Sequence, residues 1–374
     1  MMSPELGWLL HPAEPRAGLD CRRAVDLAIS HGLAYTVLPH AGNLSPDCAA
    51  HLHDYAKHRA ATDLRHRGNL VVILRRLAEA DIVAVPFKGP VLADRLYPAG
   101  ATRLYQDLDI LVQPRDVNAA IGALRGLAYR PAINVADPCS NPVLRFSGEM
   151  TLRSSMTRSP IDLHWRLFGW DTPRTERFAT VWSRVTRATW TGESIHSLDG
   201  TDLAAYLCFH GSKHLWLHLR LLQDLARLFE TKPSPDWDRL LAEAVADGRA
   251  RFLLLGPWLV HTLLHASIPA SWLEHAERDG DLRDVAAYIV NAMETPDDWP
   301  AHLSNRSIWT KLLGTRRAAL RYRCMEALAP SPAEWKAMPL PQSLSFLYYP
   351  YRPLRLAGVR LGRLWAGIRR ASAA

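Results

Sequence analysis

Apolar residues recur along this chain with two periods, and the switches between them divide it into segments. From about 18 to 80 the spacing is helical. Leu19 to Ile29 shows it, and between Leu64 and Ala80 the residues Leu70, Val71, Leu74, Leu77 and Ala78 gather on one face, with Arg65, Arg67, Arg75 and Arg76 elsewhere. Ser45-Pro46 reads as a helix start, because proline at the first position gives up an N–H that would have no partner there. From about 81 to 190 short apolar runs alternate with helical ones. This pattern predicts strands at 82–87, 107–113, near 143–153 and at 159–165, with helices at 90–97 and 115–127. Helical spacing returns from about 200 to 300. Thr201-Asp202 resembles a cap before Leu203 to His210, a second stretch covers 213–230, and Pro233 to Trp237 breaks to another helix through about 267. Residues 330–353 hold six prolines and are expected to wrap the surface as extended chain. The resulting division is 1–80, 81–195, 196–315 and 316–374. No useful internal repeat is present.

At 374 residues, with 48% hydrophobic and 22% charged positions, the chain can bury a large core in two or three domains and is not broadly disordered. No run of about 18 apolar residues predicts a membrane span, and Met1 to His11 lacks the basic start and apolar stretch of a secretory signal. The five cysteines are scattered and never form a C-x-x-C pair. That points to a reducing, cytoplasmic setting without a zinc ribbon or disulfide framework. The net charge of +8 is uneven: from Thr315 onward eleven Lys or Arg face two Glu, so the remainder is near neutral. Such a basic tail can contact nucleic acid, lipid or an acidic partner, or be a solvated helix.

Candidate chemistry concentrates at Asp107-Leu-Asp109-Ile-Leu-Val112. On a strand, Asp107 and Asp109 share one face while Leu108, Ile110 and Val112 share the other. Two carboxylates held that close repel unless a cation lies between them. Hard oxygen ligands select Mg²⁺ or Mn²⁺, which suits phosphoryl and nucleotidyl transfer. A D-x-D at a strand edge is by itself often a solvated pair, but three neighbours add weight. Ile82 to Phe87 runs straight into Lys88-Gly89-Pro90, Arg103 precedes the acidic pair, and Asp162 sits centrally in the strand-like Pro160 to Trp165. The first amides of a helix after Gly89 would be open to phosphate oxygens. No Walker loop is present.

Val85-Pro-Phe-Lys88-Gly89-Pro-Val-Leu92, Leu96-Tyr97-Pro98, Arg103, Asp107 to Val112 and Asp162-Leu-His164-Trp165 together resemble the uncharacterised nucleotidyltransferase family of the DNA polymerase beta-like superfamily. His210-Gly-Ser-Lys213-His214-Leu-Trp216, Leu219-Arg220 and Asp224-Leu-Ala resemble its helical C-terminal region, so the likeness runs over about 20–350. The resemblance implies an α+β fold, with a small mixed sheet as nucleotidyltransferase core flanked by N-terminal and C-terminal helical domains. It implies Asp107 and Asp109 as metal ligands and Asp162 as the third carboxylate. It also implies an NTP co-substrate, Mg²⁺ or Mn²⁺, and a setting among bacterial tailoring genes, including lasso-peptide clusters. Where the superfamily usually has Gly-Ser after its first strand, this chain has Lys88-Gly89-Pro90, so Lys88 replaces a hydroxyl with a charge.

On this reading a nucleoside monophosphate passes from an NTP to an acceptor, and pyrophosphate leaves. Lys88, Gly89 and Arg103 are the phosphate candidates. His164 shares a strand face with Asp162 and either positions the acceptor, acts as a base or packs structurally. His210 and His214, four apart on a helix, lack a third zinc ligand. With Lys213 they either face substrate or pack between domains. Arg220 and Asp224 read as an i,i+4 salt bridge. Trp165, Trp170, Trp182, Trp190, Trp216 and Trp258 fit core or domain contacts better than base stacking. The acceptor is open among peptide side chain, antibiotic or other small-molecule natural product, sugar and nucleic acid, the last being the least favoured. The alternatives are a kinase-like phosphoryl transferase, which lacks its glycine-rich loop here, and a non-catalytic peptide-binding module.

Overall fold

The computed structural model describes residues 2–14, 17–97, 103–168 and 178–371; Pro98 and Trp170 lie outside them. The fold is α+β. A five-stranded sheet is built from β1 (Val85–Pro86), β2 (Leu108–Leu111), β3 (Tyr129–Pro131), β4 (Glu149–Ser154) and β5 (Ile161–His164), in the order β1-β2-β5-β4-β3. The central β2–β5 pair is parallel, and every other neighbour is antiparallel. A separate hairpin joins β6 (Thr186–Trp190) to β7 (Glu193–Ser197).

The period-two pattern explains how this sheet is covered. Leu108, Ile110, Val112, Ile161 and Leu163 enter one core, against Leu70, Ile73 and Leu77 of the helix Pro46–Ala78. Ile121 and Leu124 of the helix Val117–Arg125 complete that layer. The opposite face carries Asp109, Asp162 and His164, with Leu111 sealing the join to a second core made of helices. That second core unites the N-terminal helices with the C-terminal ones: Leu6, Trp8 and Val25 pack in the same cluster as Leu222, Leu255 and Ile289.

Several elements differ from the pattern-based expectation. The strand expected at 82–87 is reduced to Val85–Pro86, although Phe87 N–H still donates across to Asp109 O at 3.3 Å. The strand expected near 143–153 begins at Glu149, because residues 143–148 close a turn in which Gly148 N–H donates to Leu144 O. β3 and the β6–β7 hairpin went unpredicted. The expected Thr201-Asp202 cap is instead Asp199, whose side chain accepts from Thr201 N–H at 2.8 Å. The second helical stretch starts at Leu219, not 213, after left-handed residues at Leu215 and Trp216. The helix expected to reach 267 is two, Trp237–Ala246 and Ala250–Leu264. Residues 330–353 are not extended. They form Pro332–Ala337, a 3-10 turn Gln342–Leu347 and the start of a helix Tyr348–Ala371. Pro332 and Pro350 lie in first turns, where a missing N–H costs nothing.

His31 ties the helical parts together. Fully buried, its Nδ1 accepts from Leu219 N–H at 3.2 Å, so Nε2 donates to Met293 O at 2.9 Å. Burial pushes the imidazole down to about 4. The unfolded chain therefore takes up a proton near pH 6.5 that the folded chain refuses until about pH 4. The stability contributed is complete above pH 6.5 and is lost as the pH falls. Between pH 7.5 and 5 the His31 contribution is about 2 kcal/mol. Urea unfolding at both pH values should show the parent protein losing about 2 kcal/mol more over that interval than His31→Asn. Equal losses would mean His31 is not the group responsible.

Candidate active site

One cleft of about 450 Å³ opens between the bare sheet face and the helical part. Its floor is set by strand register. The parallel β2–β5 pairing puts Asp109 beside Asp162, and the antiparallel β4–β5 pairing puts Glu149 beside His164 and Thr151 beside Asp162. Asp107 precedes β2 on the face of Asp109. After β1 the chain turns through Phe87 and Lys88 into the helix Gly89–Leu96. Gly89 has φ +57°, and a side chain there would come within 3.2 Å of Asp107 O. Glycine is therefore what lets this turn lie against the acidic segment.

Asp109 is the buried centre, 3% exposed. Its Oδ1 accepts from Lys88 Nζ at 2.8 Å and from His164 Nε2 at 3.1 Å, while its Oδ2 is buried without a hydrogen-bond partner. Burial disfavours the charge, yet the Lys88 ammonium and the His164 bond hold the carboxyl well below the usual range. His164 Nδ1 lies 3.2 Å from Glu149 Oε2. Despite burial, the bond to Asp109 and the charge of Glu149 raise the ring's pKa. Asp107 lacks such support. Burial and the neighbouring Asp109 charge push it up to about 6. Asp162 Oδ1 accepts from Thr151 Oγ1 at 2.7 Å.

The opposite wall is the helix Gly200–Lys213. Tyr206 stacks on His210 at 5.3 Å between centroids, His210 meets His214 at 4.6 Å, and Lys88 Nζ lies 5.2 Å over the Tyr206 ring. Phe87 contacts both His164 and Tyr206 edge-on. Burial and the nearby Lys213 and Lys88 hold His214 down to about 3, and His210 is depressed for the same reasons, so both are neutral near pH 7. His214 is open to the cleft although protein rings it. Gly211, Ser212 and Trp216 of the His210–Trp216 motif are structural. A side chain on Gly211 would come within 2.4 Å of the buried Trp216 indole, whose Nε1 donates to Ser212 Oγ at 3.0 Å.

Lys88, Arg103, Asp107, Asp109, Asp162 and His164 thus line one cleft, joined by Lys213 and His214; Gly89 lies beneath it. Arg103 has a prior commitment, since its Nε donates to both oxygens of the buried Asp224 at 2.8 Å, and Tyr97 OH donates to the same carboxylate at 2.9 Å. The expected Arg220–Asp224 pair is therefore absent: Arg103, 121 residues away in sequence, has taken the acid. Trp165, Trp190 and Trp216 are buried in the cores. Glu149 and Tyr206 went unnoticed in the sequence. The first is brought in by strand pairing and the second by packing of a helix onto the sheet, and neither leaves a local signal. Among the described residues no three His, Cys, Asp or Glu groups already stand as a metal cluster. Lys88 and His164 both take Asp109 Oδ1 and leave Oδ2 over. No helix among the described residues is long and apolar enough to cross a membrane.

The chain matches the family model described as an uncharacterised nucleotidyltransferase over residues 17–265, about two thirds of its length and short of the expected 350. It belongs to that family. No curated protein and no solved structure matches it.

The buried Arg103–Asp224 pair fastens the segment before Asp107 to the helix Leu219–Glu230. Asp224→Asn should cost about 3–5 kcal/mol in urea unfolding by leaving Arg103 charged and unmatched. Arg103→Met combined with Asp224→Leu should recover most of that loss. An Asp224→Asn cost below about 1 kcal/mol would show that water reaches the pair.

Proposed function

We propose that this member of a nucleotidyltransferase family moves a nucleoside monophosphate from an NTP to an acceptor hydroxyl or phosphate in this cleft. The acceptor oxygen attacks the α-phosphorus, the bond to the bridging oxygen breaks, and pyrophosphate leaves with that electron pair. The observation that carries the reading is the partnerless, buried Asp109 Oδ2, on a carboxylate whose neighbours Asp107 and Asp162 open into the same cleft. An orphaned carboxylate oxygen beside further carboxylates is a donor set that suits a hard divalent cation. Asp107, Asp109 and Asp162 would hold Mg²⁺ or Mn²⁺, which when bound supplies Lewis-acid stabilisation of the developing charge.

The remaining duties fall to this chain's own groups. Lys88, at the head of the helix Gly89–Leu96, lines the cleft, and its ammonium would balance the charge of an incoming phosphate. His164, clamped between Asp109 and Glu149, orients Asp109 and is not free to act as a base. Asp162, with only its hydrogen bond from Thr151, is the better group to draw the acceptor proton. A cleft of about 450 Å³ walled by Phe168, Tyr206 and Trp299 suits a small molecule or a peptide side chain as acceptor.

The test is NTP binding and pyrophosphate release with each of the four NTPs, with and without Mg²⁺ or Mn²⁺. Binding should require the metal, and Asp107→Asn/Asp109→Asn should lower turnover on the order of 10³-fold while remaining folded. Metal-independent binding, or turnover that survives in the double variant, would overturn the assignment of these carboxylates.

A further inference from the structure

Arg220 is a cation of the cleft without assigned work. Arg220, second residue of the helix Leu219–Glu230, lines the cavity and makes no ion pair within 4 Å among the described residues. Its natural helical partner, Asp224, is consumed by Arg103 and Tyr97. Burial and the nearby Arg103 act against its charge and lower its pKa, although the charges of Asp224 and of Asp107 on the cleft floor favour it. A guanidinium kept in a cleft under such opposition is costly unless an anion completes it.

Its position is also built. Arg220 N–H donates to His31 O at 3.3 Å, and its stem passes over Gly32, whose φ is +73°. A β-carbon on Gly32 would stand 2.8 Å from Arg220 Cδ. The left-handed glycine thus leaves room for the arginine stem at this spot. The same junction is locked by His31, which accepts from Leu219 N–H, and by His218, whose Nδ1 donates to Ser30 O at 3.1 Å. The N-terminal helices therefore aim a side chain that belongs to the C-terminal part.

We propose that Arg220, held in place by Gly32, is an anion-binding residue of the helical wall, and that its ligand is the terminal phosphates of the NTP. This rests on the nucleotidyl-transfer reading. The planar guanidinium can take two phosphate oxygens at once, which neutral His210 and His214 cannot. It shares the cleft with Lys88, so a polyphosphate could be gripped from both walls, with Asp107, Asp109 and Asp162 left to the divalent cation they would hold. The N-terminal helices then act as part of the nucleotide site without touching nucleotide.

The experiment measures the affinity of the full chain for inorganic tripolyphosphate, for the four NTPs and for the matching NMPs, the nucleotides with Mg²⁺. Arg220→Met should weaken tripolyphosphate and NTP by about 10–100-fold and NMP by less than about twofold. Arg220→Lys should fall between, keeping the charge but losing the fork. Gly32→Ala, which displaces the arginine without removing it, should weaken tripolyphosphate and spare NMP, with circular dichroism confirming the fold. Arg220-dependent tripolyphosphate binding without metal-dependent NTP binding would keep the anion site and sink the nucleotidyl-transfer reading. Tripolyphosphate affinity unchanged in Arg220→Met, equal losses for NMP and NTP, or no tripolyphosphate binding by the parent protein would each overturn the proposal.

Discussion

The parallel pairing of β2 with β5 is the constraint on which the cleft depends. It sets Asp109 beside Asp162 and Leu111 beside His164, with alternate residues sealed into the core behind the sheet. A slip of one residue would exchange Asp109 for Ile110 on the cleft face and bury a carboxylate among Leu70, Ile73 and Leu77. The hydrophobic side of the strand therefore enforces the register that the polar side uses. Asp109 is nevertheless charged in a buried place. What makes that tolerable is local: Lys88 and His164 both reach the same oxygen, and His164 is braced in turn by Glu149. The other oxygen is left over, and the chemistry proposed for the cleft begins there.

The second constraint lies between the helical parts. The N-terminal helices do not form a core of their own but share one with the helices after Gly200. Three contacts of the 30–32 turn with residues 218–220 join the two, by hydrogen bonds from Leu219 N–H to His31 and from Arg220 N–H to His31 O, and from His218 to Ser30 O. Asp224 plays the matching part on the sheet side by holding Arg103 and Tyr97. The helix Leu219–Glu230 is thus pinned from both directions, and side chains on its first turn face the cleft in a fixed setting. Neutral His210 and His214 line the neighbouring wall because burial and nearby cations leave no room for more positive charge.

The clearest parts of the sequence were those whose signal is local. Alternation around Asp107 to Val112 and Ile161 to His164 located two central strands within a residue or two, and the arginine-flanked apolar face located the long helix, with Pro46 at its start. Ile73, between the expected face positions, proved buried and Ala78 exposed. The proline-rich 330–353 stretch misled because Pro332 and Pro350 sit in first turns, where proline is tolerated, and Pro353 lies inside the last helix despite the bond it removes; position within an element is not a property of composition.

Period and short motifs determined a carboxylate-bearing strand pair and a lysine-glycine turn, the family resemblance those motifs carry implied the α+β fold, and residues 17–265 carry the family assignment. All of these depend on neighbours in sequence, which a strand's two-residue alternation or a helix start records directly. Only the tertiary structure decided the partners. Arg103 took Asp224 from Arg220 across 121 residues, Glu149 met His164 through strand pairing, and Tyr206 came over Lys88 when a distant helix closed the cleft. An ion pair forms with whichever opposite charge shares its buried volume, and that volume exists only once the chain has folded.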